Sequence, residues 1–185
     1  IIFLVFSVVK WFNWKNSYLS LNTNFNDLLN KYNGLVTENS NQKGKIYIGS
    51  ISNRELDIAG LCIYWSEGYK KNRRVELCNS DPKLIQLFIN WLKKIYKIDT
   101  SELKCYVGIN DAHRSRENIV KEYWSNITKI PLTNFTKTSF KKYPLKKEFS
   151  NFNEHFGTLS VRVPRPARIF YQILGKIHAI SNLAM

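Results

Sequence analysis

Glu67 is the residue whose position most invites a chemical explanation. The run Gly60 to Gly68 (GLCIYWSEG) has helical spacing, and Glu67 falls in its last turn. There the negative end of the helix dipole opposes a carboxylate. A divalent cation would relieve that opposition, and so would a solvent-exposed pairing with Lys70 or Lys71. On the same helix Ala59, Cys62 and Ser66 set small side chains along one edge, at a spacing that lets two helices approach closely.

A second group of residues is cationic. Lys70, Lys71, Arg73 and Arg74 follow Glu67 directly. Between residues 129 and 147 lie six lysines (129, 137, 141, 142, 146 and 147) and no acid, with Phe135, Phe140 and Tyr143 interleaved. Arg162, Arg165 and Arg168 add charge near the C-terminus. Lysines hold phosphates without demanding fixed geometry, and aromatic rings stack on bases. The alternative for 129–147 is a solvated loop whose aromatics tuck into the core.

Charge places these groups in context. The 185 residues carry 28 Lys and Arg against 14 Asp and Glu, a net +14, and residues 54–185 hold 23 of the bases and 12 of the acids. A surplus of that size on the patterned part of the chain favours a polyanionic partner. Nucleic acid is the expected one. An anionic membrane surface, met through the apolar start of the chain (Ile1 to Trp14), is the alternative. Deleting residues 1–14 would abolish lipid binding and spare DNA affinity if that alternative held. Cys62, Cys78 and Cys105 form no C-x-x-C pair, which disfavours a disulfide framework and suits a cytoplasmic location. His113, His155 and His178 lack metal-ligand spacing, and Asp111 with His113 reads as a helix-capping turn. Asn126 and Asn134 stand in glycosylation-type triplets without a secretory context. No P-loop or G-x-G-x-x-G is present, so no nucleotide cofactor is expected.

The elements that must position these groups follow from periodicity. Residues 1–51 are a poorly defined N-terminal segment: an apolar start of the chain, a short helix at 25–32, a loop at 39–44 (NSNQKG) and a short strand at 45–48. From residue 52 the pattern tightens into one domain, 52–185. Ser52 or Asn53 caps a helix with Glu55 and Asp57 in its first turn, and Leu56, Ala59, Cys62, Ile63 and Ser66 recur on one face. Arg74–Cys78 alternates as a strand. Asp81-Pro82 opens a helix striped by Leu84, Phe88, Trp91, Leu92 and Ile95. Residues 103–109 read as a strand, 119–127 as a helix, 129–156 as a polar loop, 158–163 as a strand, and Pro166 opens a final helix. The order indicates an α+β domain.

The run GLCIYWSEG resembles the signature of the LAGLIDADG homing endonucleases, with Glu67 at the acidic metal-ligand position and Gly68 at the closing glycine. Cys62 and Ser66 stand at the family's helix-packing positions, and Cys62 replaces the signature's first glycine. RVELC followed by NSDPKLIQLFINWL is similar to the strand and helix that follow the signature. The resemblance covers about residues 52 to 180 and implies a mixed helix and antiparallel-sheet domain, here with an inserted helix near 113–130. It further implies binding of double-stranded DNA and, in an active member, cleavage with Mg²⁺. The last helix carries no acid, so such an enzyme would be a homodimer through the Ala59–Ser66 face, each copy supplying one Glu67. The residues past Gly68 and the basic stretch (Lys70, Lys71, Arg73, Arg74, Lys137, Lys141, Lys142, Lys146, Lys147, Arg162, Arg165) would hold the nucleic acid. The ribbon after Gly68 is short and would reach few bases. A non-catalytic regulator on the same fold is the alternative.

Overall fold

The computed structural model describes residues 2–143 and 151–183, with side chains from residue 25 onward. The chain divides into two units, Ile1–Ile51 and Ser52–Met185. In the first lies a single helix, α1 (Ile2–Ile48). This corrects the helix–loop–strand reading of residues 25–48, which rested on the poor helix propensity of Asn and Gly. A continuous helix pairs its interior backbone groups with one another, and side chains reinforce it four residues apart. Gln42 Nε2 donates to Glu38 Oε1 at 2.8 Å, and Ser40 Oγ donates to the Val36 carbonyl at 2.8 Å. The helix ends at Gly49, whose φ of +58° suits glycine and whose N–H bonds the Lys45 carbonyl at 2.9 Å.

The second unit runs α2 (Asn53–Glu67), β1 (Gly68–Tyr69), β2 (Glu76–Asn79), α3 (Pro82–Tyr96), β3 (Lys104–Asn110), α4 (Glu117–Thr128), β4 (Ser139–Lys141), β5 (Thr158–Arg162) and α5 (Ala167–Leu183). It is an α+β arrangement. The strands lie in the order β1-β2-β5-β3-β4. Three of the four pairings are antiparallel, but β4 lies parallel to β3, so the sheet is mixed and not the antiparallel one expected. Parallel neighbours need a crossover, and α4 supplies it. After α4 the chain returns alongside β3, where the Thr136 N–H bonds the Cys105 carbonyl at 2.8 Å. Part of the stretch expected to be a polar loop is therefore sheet.

Local chemistry sets the helix ends. Ser52 and Glu55 form a reciprocal cap on α2: Glu55 N–H donates to Ser52 Oγ at 3.3 Å, and Ser52 N–H donates to Glu55 Oε2 at 2.7 Å. At α3, Asp81 Oδ1 accepts from Lys83 N–H at 2.8 Å, with Pro82 in the first turn. Gly68 ends α2 in an extended conformation, φ −73° and ψ 143°, so it is not needed for a left-handed cap. It is needed for space, since a Cβ there would sit 2.3 Å from the Tyr64 ring.

The core lies between the helices and one face of the sheet. Leu77, Val161 and Cys105 are register partners across β2, β5 and β3, and Leu159 and Val107 extend the same face. Onto it pack Leu56, Leu61 and Tyr64 of α2, Ile85, Phe88 and Trp91 of α3, Val120 and Trp124 of α4, and Phe170, Ile173 and Ile177 of α5. The buried stripe of α2 is thus Leu56, Gly60, Leu61 and Tyr64, while Cys62 and Ser66 are exposed and Ala59 is half-buried. This corrects the face read as Leu56, Ala59, Cys62, Ile63 and Ser66, and it leaves the small-residue edge at Cys62 and Ser66 facing outward. The small residue that admits a neighbour within the chain is Gly60, where a Cβ would lie 2.2 Å from the Trp91 ring. Trp91 Nε1 donates to Asp57 Oδ1 at 2.9 Å, and Lys176 Nζ donates to Asp57 Oδ2 at 2.6 Å. One carboxylate therefore ties α2, α3 and α5 together.

A candidate nucleic-acid interface

Because side chains alternate along a strand, fixing the apolar residues on one face of the sheet fixes the identity of the other. Register partners lay Tyr69, Glu76, Arg162 and Lys104 in one row across β1, β2, β5 and β3. Cys78, Ser160 and Tyr106 form the next row, and Asn110 pairs with Lys141 at the far edge. None of these belongs to the hydrophobic core, and all four helices of this unit contribute to the core on the opposite side. Arg162, Lys104 and Tyr106 are half-buried and Lys141 is exposed. The result is a polar sheet face with three cations on it and a tyrosine in each of two rows.

Glu76 is the one acid among them and is only 5% exposed. Tyr106 Oη donates to its Oε1 at 3.4 Å, and Arg74 Nη1 lies 3.7 Å from Oε2. Glu76 Oε2 and Ser160 Oγ are the buried side-chain polar atoms that have no hydrogen-bond partner among the described residues. Both lie on this face, where an approaching donor could complete them.

The β1–β2 hairpin joins this face to Glu67. It turns tightly through Asn72 and Arg73, whose φ values are +57° and +54°. Tyr64 anchors it from the core: its hydroxyl donates to the Arg74 carbonyl at 2.6 Å and reaches the Tyr69 carbonyl at 3.3 Å. Burial pushes the Tyr64 phenol up to about 12, so it remains a donor at neutral pH. Glu67 is exposed at the end of α2 and immediately precedes β1. It makes no ion pair with Lys70 or Lys71. Lys70 Nζ instead donates to the Gly68 carbonyl at 2.9 Å.

The other cations divide between this face and its surroundings. Lys71 and Arg73 are exposed on the hairpin turn, with the Arg73 guanidinium 6.0 Å from the Tyr171 ring centre. Arg74 stacks over Tyr69 at 5.3 Å, holding a cation beside the Glu76 row. Lys137 and Lys142 are exposed on either side of β4, while Lys146 and Lys147 lie outside the described residues. Arg165 and Arg168 line a cavity of about 430 Å³ with Ile98, Glu102 and Val163, just past the end of β5. Lys104, Tyr106 and Glu76 were not singled out by sequence reasoning. The signal was there in the alternation of KCYVGIN, whose even-numbered residues face away from the core.

Among the described residues no three of His, Cys, Asp and Glu come together as a metal-binding group. His113 and His155, distant in sequence, are nevertheless neighbours with ring centres 5.3 Å apart. Arg116 links the turn after β3 to the segment before β5, donating to His113 Nδ1 at 3.0 Å and to the Phe152 carbonyl at 3.0 Å. Asn110, not Asp111, caps the turn, accepting from the Ala112 N–H at 2.9 Å. No described helix is long and apolar enough to cross a membrane. Comparison with known protein families, with curated proteins and with solved structures finds no match for this chain.

Proposed function

We propose that the Ser52–Met185 unit binds double-stranded DNA across the polar face of its sheet. The observation that carries this reading is the register: it sets Arg162, Lys104 and Lys141 on one face while the core and helices occupy the other. Cations spread over a surface of this kind match the regular spacing of phosphates, and the major groove admits a two-stranded ribbon such as β1–β2. With two residues in β1, that ribbon touches few bases, so most of the affinity comes from phosphate contacts.

A second reading, Mg²⁺-dependent cleavage, is favoured by the place of Glu67 at the junction of α2 and the interface, together with the resemblance to LAGLIDADG endonucleases. Glu67 would supply one carboxylate to a Mg²⁺, whose other oxygen ligands would be waters and substrate phosphates. In the two-acid mechanism that the resemblance implies, cleavage requires a homodimer that brings a second Glu67 alongside the first. The exposed edge of α2, with Ile58, Cys62, Trp65 and Ser66, is the surface for it. A DNA-binding regulator would use the same sheet face without that pairing.

Supercoiled plasmid incubated with the protein in Mg²⁺ or EDTA, with Glu67→Gln beside the parent, separates these readings. Nicking that needs Mg²⁺ and vanishes in Glu67→Gln assigns cleavage. Salt-sensitive retardation of the plasmid by both proteins, without nicking, assigns regulation. Absence of both retardation and nicking would overturn the DNA reading.

A further inference from the structure

Helix α1 carries an apolar seam. Phe25, Leu28, Leu29, Tyr32, Leu35 and Val36 are all between 44% and 67% exposed. Their spacing of three and four residues is that of a heptad repeat, with Phe25 and Tyr32 at position a and Leu28 and Leu35 at position d. The same register carried toward the N-terminus places Trp11 and Tyr18 at a, and Trp14 and Leu21 at d. Four successive heptads thus hold large apolar residues at both seam positions.

Most polar residues obey the same register, with Asn39 at a and Gln42 at d as the exceptions. Between residues 25 and 45, Asn26, Asn30, Asn33 and Asn41, together with Gly34 and Gly44, all fall at the outer positions b, c and f. Asn39 is the one asparagine on the seam, at a. A lone Asn at a pairs with its own counterpart across a parallel two-stranded coil and fixes register at some cost in stability. The charges agree with that orientation. Glu38 at g faces Lys43 at e of the next heptad on a parallel partner.

A lone helix rich in Asn and Gly is also a poor helix in water. Both residues lower propensity, and helices in proteins draw most of their stability from packing an apolar face. The continuous α1 therefore requires a cover for its seam. A second copy of this chain supplies one of matching pattern, length and charge.

We infer that α1 is a parallel, in-register, two-stranded coiled coil that pairs two copies of this chain along the Phe25–Val36 seam. The pairing is independent of the exposed α2 edge and of DNA binding. It holds the two copies of residue 48 within about 10 Å, the usual spacing of paired helices. The second units of both copies are thereby kept at high local concentration, which assists any weaker α2 contact.

Sedimentation equilibrium of the full chain, without DNA, tests the inference apart from the functional reading. The expected mass is twice 21.8 kDa. A Leu28→Lys/Leu35→Lys variant sets unpaired charges in the seam and should weaken the dimer on the order of 100-fold or more. Its Cys105 should stay as protected from alkylation as in the parent, because neither substituted residue is in the core that buries that thiol. An Asn39→Cys variant in a Cys62→Ser/Cys78→Ser background should oxidise to a covalent dimer, as only parallel, in-register pairing sets residue 39 opposite itself. A monomeric parent at about 100 µM would overturn the inference. So would a dimer that survives Leu28→Lys/Leu35→Lys but is lost on Trp65→Glu, since the interface would then be α2. Failure of Asn39→Cys to cross-link would overturn the parallel register.

Discussion

Gly60→Ala is the sharpest test of how α2 is seated. Its Cβ would lie 2.2 Å from Cγ and Cδ2 of Trp91 and 2.4 Å from Cδ1. Ordinary carbon contacts are about 3.5 Å or longer, so the indole would have to retreat by roughly 1.3 Å. Trp91 is fully buried and in contact with Phe88, Tyr64 and Tyr96, which leaves it little room. The retreat would also stretch the 2.9 Å bond from Nε1 to Asp57 beyond hydrogen-bonding range. Overpacking costs about 1 to 3 kcal/mol, and loss of a bond to a carboxylate about 1.5 to 3 kcal/mol. Ala regains about 1 kcal/mol over Gly in helix propensity. The net expectation is a loss of about 1.5 to 5 kcal/mol, read from urea unfolding followed by near-ultraviolet circular dichroism. Ala59→Gly, one residue away and half-buried, serves as control and should lose about 1 kcal/mol from propensity. A Gly60→Ala protein as stable as the parent, or more so, would refute the close approach of Trp91 to α2.

Tyr64→Phe removes the hydroxyl that holds the Arg74 and Tyr69 carbonyls and should cost about 1 to 2 kcal/mol, with faster hydrogen exchange along residues 68–79. Burial, with smaller contributions from nearby His155 and Arg116, holds the His113 imidazole below its ordinary 6.5. The unfolded chain then binds the proton first as pH falls, so stability declines from about pH 6.5 downward and is recovered above it. His113→Gln should flatten that part of the stability–pH profile. Alkylation of the native protein should label Cys62 and Cys78 rapidly and spare Cys105, whose thiol is pushed up to about 12 by burial; denaturant should expose it. Rapid labelling of Cys105 in the native state would contradict the core described above.

What the sequence revealed depended on whether local rules decided the outcome. Caps and apolar spacing are local, so Ser52, Asp81-Pro82 and the Phe88, Trp91 and Leu92 positions of α3 are legible in it, whereas Ile85, not Leu84, is the buried residue at the head of that stripe. The α2 stripe was misread because Ala59, Cys62 and Ser66 share an edge as regularly as Leu56, Gly60 and Tyr64 do. Only the approach of Trp91, 31 residues on, decides between them. β4 was missed because its three residues pair with a strand about 30 positions earlier, a non-local choice that lysine content obscures. The interface is a similar case. Arg162 and Lys141 stood out as charges, but their sharing of a face with Lys104 and Glu76 follows from register, which no single segment contains. For α1, Asn and Gly content suggested a loop, while the seam that overrides it was present in the spacing of Phe25, Leu28, Tyr32 and Leu35.

The most direct test of DNA binding by the sheet face is the salt dependence of affinity for a duplex of about 30 base pairs. Fluorescence anisotropy would compare the parent with an Arg162→Gln/Lys104→Gln/Lys141→Gln variant. Each phosphate contact contributes about 0.9 to the slope of log K against log salt, so the variant should lose about 2 to 3 in slope while keeping its fold by circular dichroism. The parent should weaken steeply as salt rises. Equal slopes for the two proteins, or no binding by the parent at 50 mM salt, would contradict the assignment of this face to DNA.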